Sequence, residues 1–121
     1  MDKDNRLKKS TKVLIYAIQL EIKSYPLKNK KISVIAKDAG IDRKLLEAGF
    51  KILFGITIKQ YQIQRKMEFS QQLLDEAHLT IKEIAFQCGY SSQNSYAKAF
   101  KKIYNQTPTD WQNRPEALPE N

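Results

Sequence analysis

Cys88 and His78 are the one thiol and the one imidazole of the chain, the residue types from which a nucleophile and its general base are made. Their positions argue against that use. Cys88 stands one residue before Gly89 at the end of an apolar stretch, where a small buried hydrophobe is expected, and His78 falls in a loop ahead of Thr80. One cysteine and one histidine cannot complete a zinc site of the usual four ligands, and a lone cysteine cannot form an intramolecular disulfide. Asp75-Glu76 close a helix, Asp38 and Asp42 flank a turn, and no glycine-rich loop is available to cradle a phosphate. No catalytic residue, metal or cofactor is therefore expected, and the chain does not read as an enzyme.

Charge is the chemistry that remains. The 121 residues carry 21 Lys+Arg against 13 Asp+Glu, a formal net charge of +8. The excess is concentrated: residues 1–31 hold nine basic and three acidic side chains, residues 32–78 seven and six, and residues 79–121 five and four. A basic surface attracts polyanions, most commonly nucleic acid, and the competing reading is a solvated Lys-rich first helix that only keeps the protein soluble. With 41% hydrophobic and 28% charged residues, the chain can build one compact domain or two half-size lobes and is not a disordered basic tail. Val13-Leu14-Ile15-Tyr16-Ala17-Ile18, one of its longest apolar runs, is far below the roughly 18 residues that span a bilayer. Met1-Asp2-Lys3-Asp4 opens neither a signal nor a transit peptide, so a cytoplasmic protein without a membrane partner is expected.

The elements that must carry this charge are helical throughout, since no stretch alternates as a strand does. Leu14, Ala17 or Ile18, Glu21 or Ile22, and Tyr25 recur at helical steps before Pro26, predicting a helix over about 9–24. Ser33 opens a short helix through Ala39, ended by Gly40. Asp42 caps a third, bearing Leu45, Leu46, Gly49, Phe50 and Leu53 and closed by Gly55. Thr57-Ile58-Lys59-Gln60 reads as a capping box for a long helix to about Glu76. Thr80-Ile81-Lys82-Glu83 is a second capping box, Gly89 stops that helix, Ser91 or Ser92 caps the next, and Asn105 ends it. Thr107-Pro108-Thr109-Asp110 starts a seventh helix. The aromatics Tyr61, Phe69, Phe86, Phe100, Tyr104 and Trp111 fall at core spacings, and a platform for stacking single-stranded bases is the minor alternative.

The second half repeats the first. Ile35-Ala36, Gly40, Phe50-Lys51, Gly55, Thr57 and Tyr61 correspond to Ile84-Ala85, Gly89, Phe100-Lys101, Asn105, Thr107 and Trp111, with one residue added between Gly89 and Phe100. In each copy an alanine lies four residues before a glycine and a second helix follows the glycine, the arrangement of a helix-turn-helix.

The most specific stretch is Leu73-Leu74, then Leu79 to Ser92 with Ile81, Glu83-Ile84-Ala85 and Gly89-Tyr90, then Lys98-Ala99-Phe100-Lys101, and Thr107-Pro108 before Trp111. It resembles the DNA-binding domain of the AraC/XylS family of bacterial transcription regulators. The first half matches more loosely, through Ile35-Ala36, Gly40, Leu46, Phe50-Lys51, Phe54-Gly55, Tyr61 and Arg65-Lys66-Met67. The resemblance implies an all-α fold of about seven helices in two helix-turn-helix lobes joined by a long central helix. The expected boundaries are an N-terminal basic extension at 1–10, a DNA-binding domain at 11–112 and a flexible tail at 113–121. Within the domain, lobe one covers about 11–56, the linker helix about 57–76 and lobe two about 79–112.

The same resemblance implies a sequence-specific regulator that places its second helices in successive major grooves of double-stranded DNA, about 34 Å apart. The base-contact candidates are Arg43, Lys44, Glu47 and Ala48 in the first lobe, and Gln93, Asn94, Ala97 and Lys98 in the second. Gln93 or Asn94 suits adenine, Lys98 guanine, Glu47 cytosine, and Ala97 a thymine methyl. Lys51, Lys101 and Lys102 are phosphate-contact candidates, with the helix N-termini at Ser33 and Thr80. Ala48 stands where the family often places arginine, so the first lobe is expected to read bases weakly, and at Lys98 the frequent arginine fork is lost. Activation is expected more than repression, with RNA polymerase a partner and the chain a monomer on DNA. Residues 1–10 are too few for the separate ligand-binding or dimerisation domain of many members, so the chain is either a short stand-alone member, which Met1 favours, or a fragment. A fold-retaining protein that binds a protein partner, and a nonspecific nucleic-acid binder, are the alternatives.

Overall fold

The computed structural model describes residues 6–28, 30–76 and 78–117; the first five residues of the basic extension and the last four of the tail lie outside it. The elements run α1 (Lys9–Ser24), α2 (Ile32–Ala39), α3 (Arg43–Phe54), α4 (Ile58–Glu76), α5 (Ile81–Gln87), α6 (Gln93–Tyr104) and α7 (Pro108–Gln112), and no strand occurs among the described residues. The chain divides into two compact units, Met1–Arg65 and Lys66–Asn121, and the division falls inside α4.

Local signals set the helix ends. Asp42 accepts the Leu45 amide at the start of α3, and Ser92 accepts the Ser95 amide at the start of α6. Capping boxes close reciprocally at Thr57 with Gln60, Thr80 with Glu83 and Thr107 with Asp110. Gly55 and Asn105 end α3 and α6 in the left-handed region, at φ 79° and 59°, and Asn105 is the one non-glycine residue there among the described residues. Asparagine tolerates that region because its short side chain bonds locally.

The two turns show where the repeats differ. After Gly40 (φ 68°) the Ile41 amide donates to Ala36 O at 3.0 Å, and after Gly89 (φ 86°) the Tyr90 amide donates to Ala85 O at 3.0 Å. Ile41 is followed directly by its cap Asp42, whereas Ser91 intervenes between Tyr90 and Ser92. The added residue thus lies in the turn and leaves both twelve-residue second helices intact.

The cores repeat as well. In the first unit Phe50 is fully buried with Ile15, Ala36, Leu46 and Ile58, its ring 4.6 Å from Phe54 and 5.6 Å from Tyr61. In the second, Phe100 is fully buried with Ile84, Ala85 and Tyr96, its ring 4.7 Å from Tyr104 and 6.4 Å from Trp111. At Gly49 a Cβ would stand 2.5 Å from Ile15 Cδ1, so the missing side chain is what lets α1 lie close on α3. Leu7, which the sequence puts in the basic extension, packs against this same core.

Four sequence expectations are corrected. The core stripe of α1 is Ile15, Ile18 and Ile22, so Ile18 and Ile22 take the inner places the sequence offered them, while Leu14 and Tyr25 face outward and Ile15 lies inside in their stead. Helix α2 begins at Ile32 with Lys31 as its cap and no side-chain cap bond, because a lysine side chain has no acceptor; the Lys31 carbonyl accepts the Val34 and Ile35 amides, and Ser33 lies inside the first turn. Phe86 is 51% exposed, since it projects from the side of α5 opposite Ile84, Ala85 and Cys88. The tail does not fray at its start: Arg114 pairs with Asp75 at 3.0 Å, stacks 3.7 Å over Trp111 and leads into a 3-10 turn at Pro115–Ala117.

Phe50→Ala and Phe100→Ala should each cost about 3–5 kcal/mol. Hydrogen exchange by mass spectrometry should show faster opening concentrated in α1–α3 for the first and in α5–α7 for the second.

Candidate nucleic-acid interface

A reading helix needs its inner face locked and its outer face free, and both second helices meet that condition. On α6 the inward stripe is Tyr96 and Phe100, both fully buried. On the far side Asn94, Lys98 and Lys101 follow one another at steps of four and three, so their exposed side chains form one stripe along the axis. Gln93 and Lys102 flank it and are also exposed, whereas Ala97 is half-buried at its edge. Lys101 and Lys102 sit in the last turn of α6, where cations suit the helix dipole.

Helix α3 presents the same positions with other chemistry. Arg43, Lys44, Glu47, Ala48 and Lys51 are all exposed. Arg43 Nε donates to Glu47 Oε1 at 2.7 Å, an i,i+4 pair that occupies two of the four candidates with each other. The positions fifty residues on, Gln93 and Ala97, form no such pair. An exposed pair of this kind adds about 0.3–0.5 kcal/mol to the helix, and it engages the guanidinium and the carboxylate with each other on the outward face. Lys44, Glu47, Ala48, Lys51 and Ile52 line one open groove along α3, and Arg6, Gly55 and Thr57 complete it. Sequence reasoning passed over Arg6; the only signal was its membership in the basic N-terminal stretch.

The helix N-termini divide. At α5 the Thr80 hydroxyl accepts the Glu83 amide and Glu83 Oε1 accepts the Thr80 amide, both at 3.1 Å, so the first turn already holds a carboxylate. At α2 no acidic residue stands in the first turn, and Ser33 is exposed there.

Cys88 is fully buried, and burial pushes its thiol up to about 11, against a smaller opposing pull from the Lys66 ammonium. That is the reverse of an activated thiolate. Lys66 is itself lowered by burial and lies 5.0 Å over the Tyr90 ring, tying α4 to the turn of the second helix-turn-helix. No group of three or more His, Cys, Asp or Glu side chains that could hold a metal occurs among the described residues, and no helix there is long and apolar enough to cross a membrane.

Two helix-turn-helix motifs, each with a buried inner face and an exposed polar outer one, define a class of nucleic-acid-binding domain. A helix-turn-helix domain model matches residues 35–114. The chain is 35% identical over 85 residues to the probable transcriptional regulator LumQ of Photobacterium leiognathi, covering 69% of this chain and 34% of that protein. It is 34% identical over 90 residues to the xylose operon regulatory protein of Escherichia coli, covering 74% and 23%. Among solved structures, the C-terminal domain of the two-component response regulator yesN from Fusobacterium nucleatum superposes with a TM-score of 0.71 at 32% identity, covering 87% of this chain and all of that one. The chain belongs to the AraC/XylS family and is a DNA-binding domain of its transcription regulators. It spans about a third or less of the length of those two curated relatives.

Folded protein should react negligibly with iodoacetamide at pH 7.5, with Cys88 alkylation in mass spectra following global unfolding. The unfolded thiol ionises near its ordinary value, so between that and about 11 the folded chain holds the extra proton and this contribution to stability falls as pH rises. Urea melts at pH 8 and 10.5 should show this loss in the parent and not in Cys88→Ala.

Proposed function

We propose that the chain reads operator DNA for a transcription regulator that activates its target genes inside the cell and has no catalytic activity. The carrying observation is the outward stripe of α6, in which Asn94, Lys98 and Lys101 project from a helix whose inner face is held by Tyr96 and Phe100. Asn94 pairs with adenine and Lys98 with guanine, while Lys101, Lys102 and Lys51 bind phosphate. Helix α2 offers phosphate a better N-terminus than α5, where Glu83 repels it. Each lobe takes one major groove, so a monomer binds a two-part, non-palindromic site, and basic residues of α1 contribute nonspecific attraction or meet RNA polymerase. The Arg43–Glu47 pair favours unequal lobes, with α6 specifying the sequence and α3 positioning the protein through Lys44, Lys51 and Arg6.

Selection from random duplexes at near-physiological salt, followed by sequencing, tests the reading. Two enriched motifs about 10 base pairs apart support readout by both lobes, one motif supports readout by α6 alone, and no enrichment removes sequence-specific binding. Lys98→Ala should cost about 1–3 kcal/mol at one base position, whereas Lys101→Ala should weaken all sequences alike and reduce the salt slope by about one. Glu47→Ala should release Arg43 and raise affinity several-fold at low salt in titrations with labelled duplex. Unchanged affinity would remove the inhibitory role given to the Arg43–Glu47 pair.

A further inference from the structure

Helix α1 is apolar on two opposite sides. Ile15, Ile18 and Ile22 face the core of the first unit. Half a turn away, Val13, Tyr16, Ala17 and Leu20 follow one another at steps of three, one and three, the spacing of a second apolar stripe. Val13 is 60% exposed, Leu20 59% and Tyr16 48%, and Leu14 adds its edge. Scattered single apolar side chains on a surface need no explanation, but a stripe that continues along a helix marks an interaction site. Beside it, Leu14, Ala17, Ile18, Ile35 and Ala39 line a groove between α1 and α2, so the stripe borders a concave apolar strip.

The charges around the stripe are one-sided. Glu21, the one acidic residue of α1, accepts from Lys28 at 3.4 Å and lies 3.8 Å from Lys30, and Asp38 on the groove rim is paired with Lys30 at 3.3 Å. Lys8, Lys9, Lys12 and Lys23 have no acidic partner among the described residues. A second copy of this chain would set these lysines against one another, like charge against like. We infer that α1 and the α1–α2 groove dock an amphipathic helix of another protein, apolar at i, i+3, i+4 and i+7 and acidic along its flanks. A helix laid along α1 would cover Val13 and Leu20, set an apolar side chain in the groove beside Ala17, and neutralise the lysines. The lysines are exposed, so this contact weakens with salt.

The probe is a synthetic 18-residue helix with leucines at those positions and glutamates on both flanks, titrated into the isotope-labelled 121-residue chain at low salt and followed by amide shifts. Shifts confined to α1 and α2, with affinity lost tenfold or more in Leu20→Asp and kept in the control Ile103→Asp, at an exposed apolar position on α6, support the inference. A peptide with lysines in place of the glutamates should bind at least tenfold more weakly. The inference is overturned by any of four outcomes: no shifts, equal binding of the two peptides, displacement of the peptide by anionic vesicles at the same residues, or a free chain that dimerises in sedimentation and becomes monomeric on Leu20→Asp.

Discussion

The outward faces of α3 and α6 depend on the burial of one aromatic ring in each helix. Phe50 and Phe100 sit at the eighth position of their twelve-residue helices, fully buried, with Ala36 or Ala85 of the preceding helix in the same core. A helix of that length is marginal in water alone. Its structure comes from this inner face, and fixing the inner face by packing fixes the angle at which the outer one is presented. The small alanine and the left-handed glycine after it allow the first helix of each motif to end in time for the second to start, and the cap at Asp42 or Ser92 determines where that start falls.

Upon this common frame the outer faces diverge. Helix α6 displays Asn94, Lys98, Lys101 and Lys102 without internal ion pairs, so its donors and acceptors stay available to a ligand. Helix α3 spends Arg43 and Glu47 on each other. Packing tolerates this divergence because outward positions make no demand on the core. The same fold therefore carries two outward faces of different charge chemistry.

Much was legible before any coordinates. The helix ends, the repeat, the αL positions and the buried phenylalanines follow from capping and turn chemistry that acts within four residues, so Thr80, Glu83, Gly89, Ser92 and Asn105 announce themselves. The exposed candidates on α3 and α6 follow from the same register. Helix α1 was harder, because residues 13–18 are a continuous apolar run and periodicity cannot choose between two stripes half a turn apart. Phe86 misled for a related reason: its type signalled the core, while its angular position on a seven-residue helix put it on the far side.

The sequence by itself determined the elements, their caps and the two-lobed plan, since each rests on local backbone chemistry or on a pattern visible over one helical turn. Tertiary structure decided which face of α1 is inside, that Leu7 belongs to a core, that Arg114 is held against Trp111 and Asp75, and that Glu47 holds Arg43. Most of these outcomes join residues far apart in the chain, and the last depends on rotamers within one turn. The physical reason is common to those that join distant residues. Which partner a side chain takes is set by the geometry of close packing, and that geometry exists only once the helices have met.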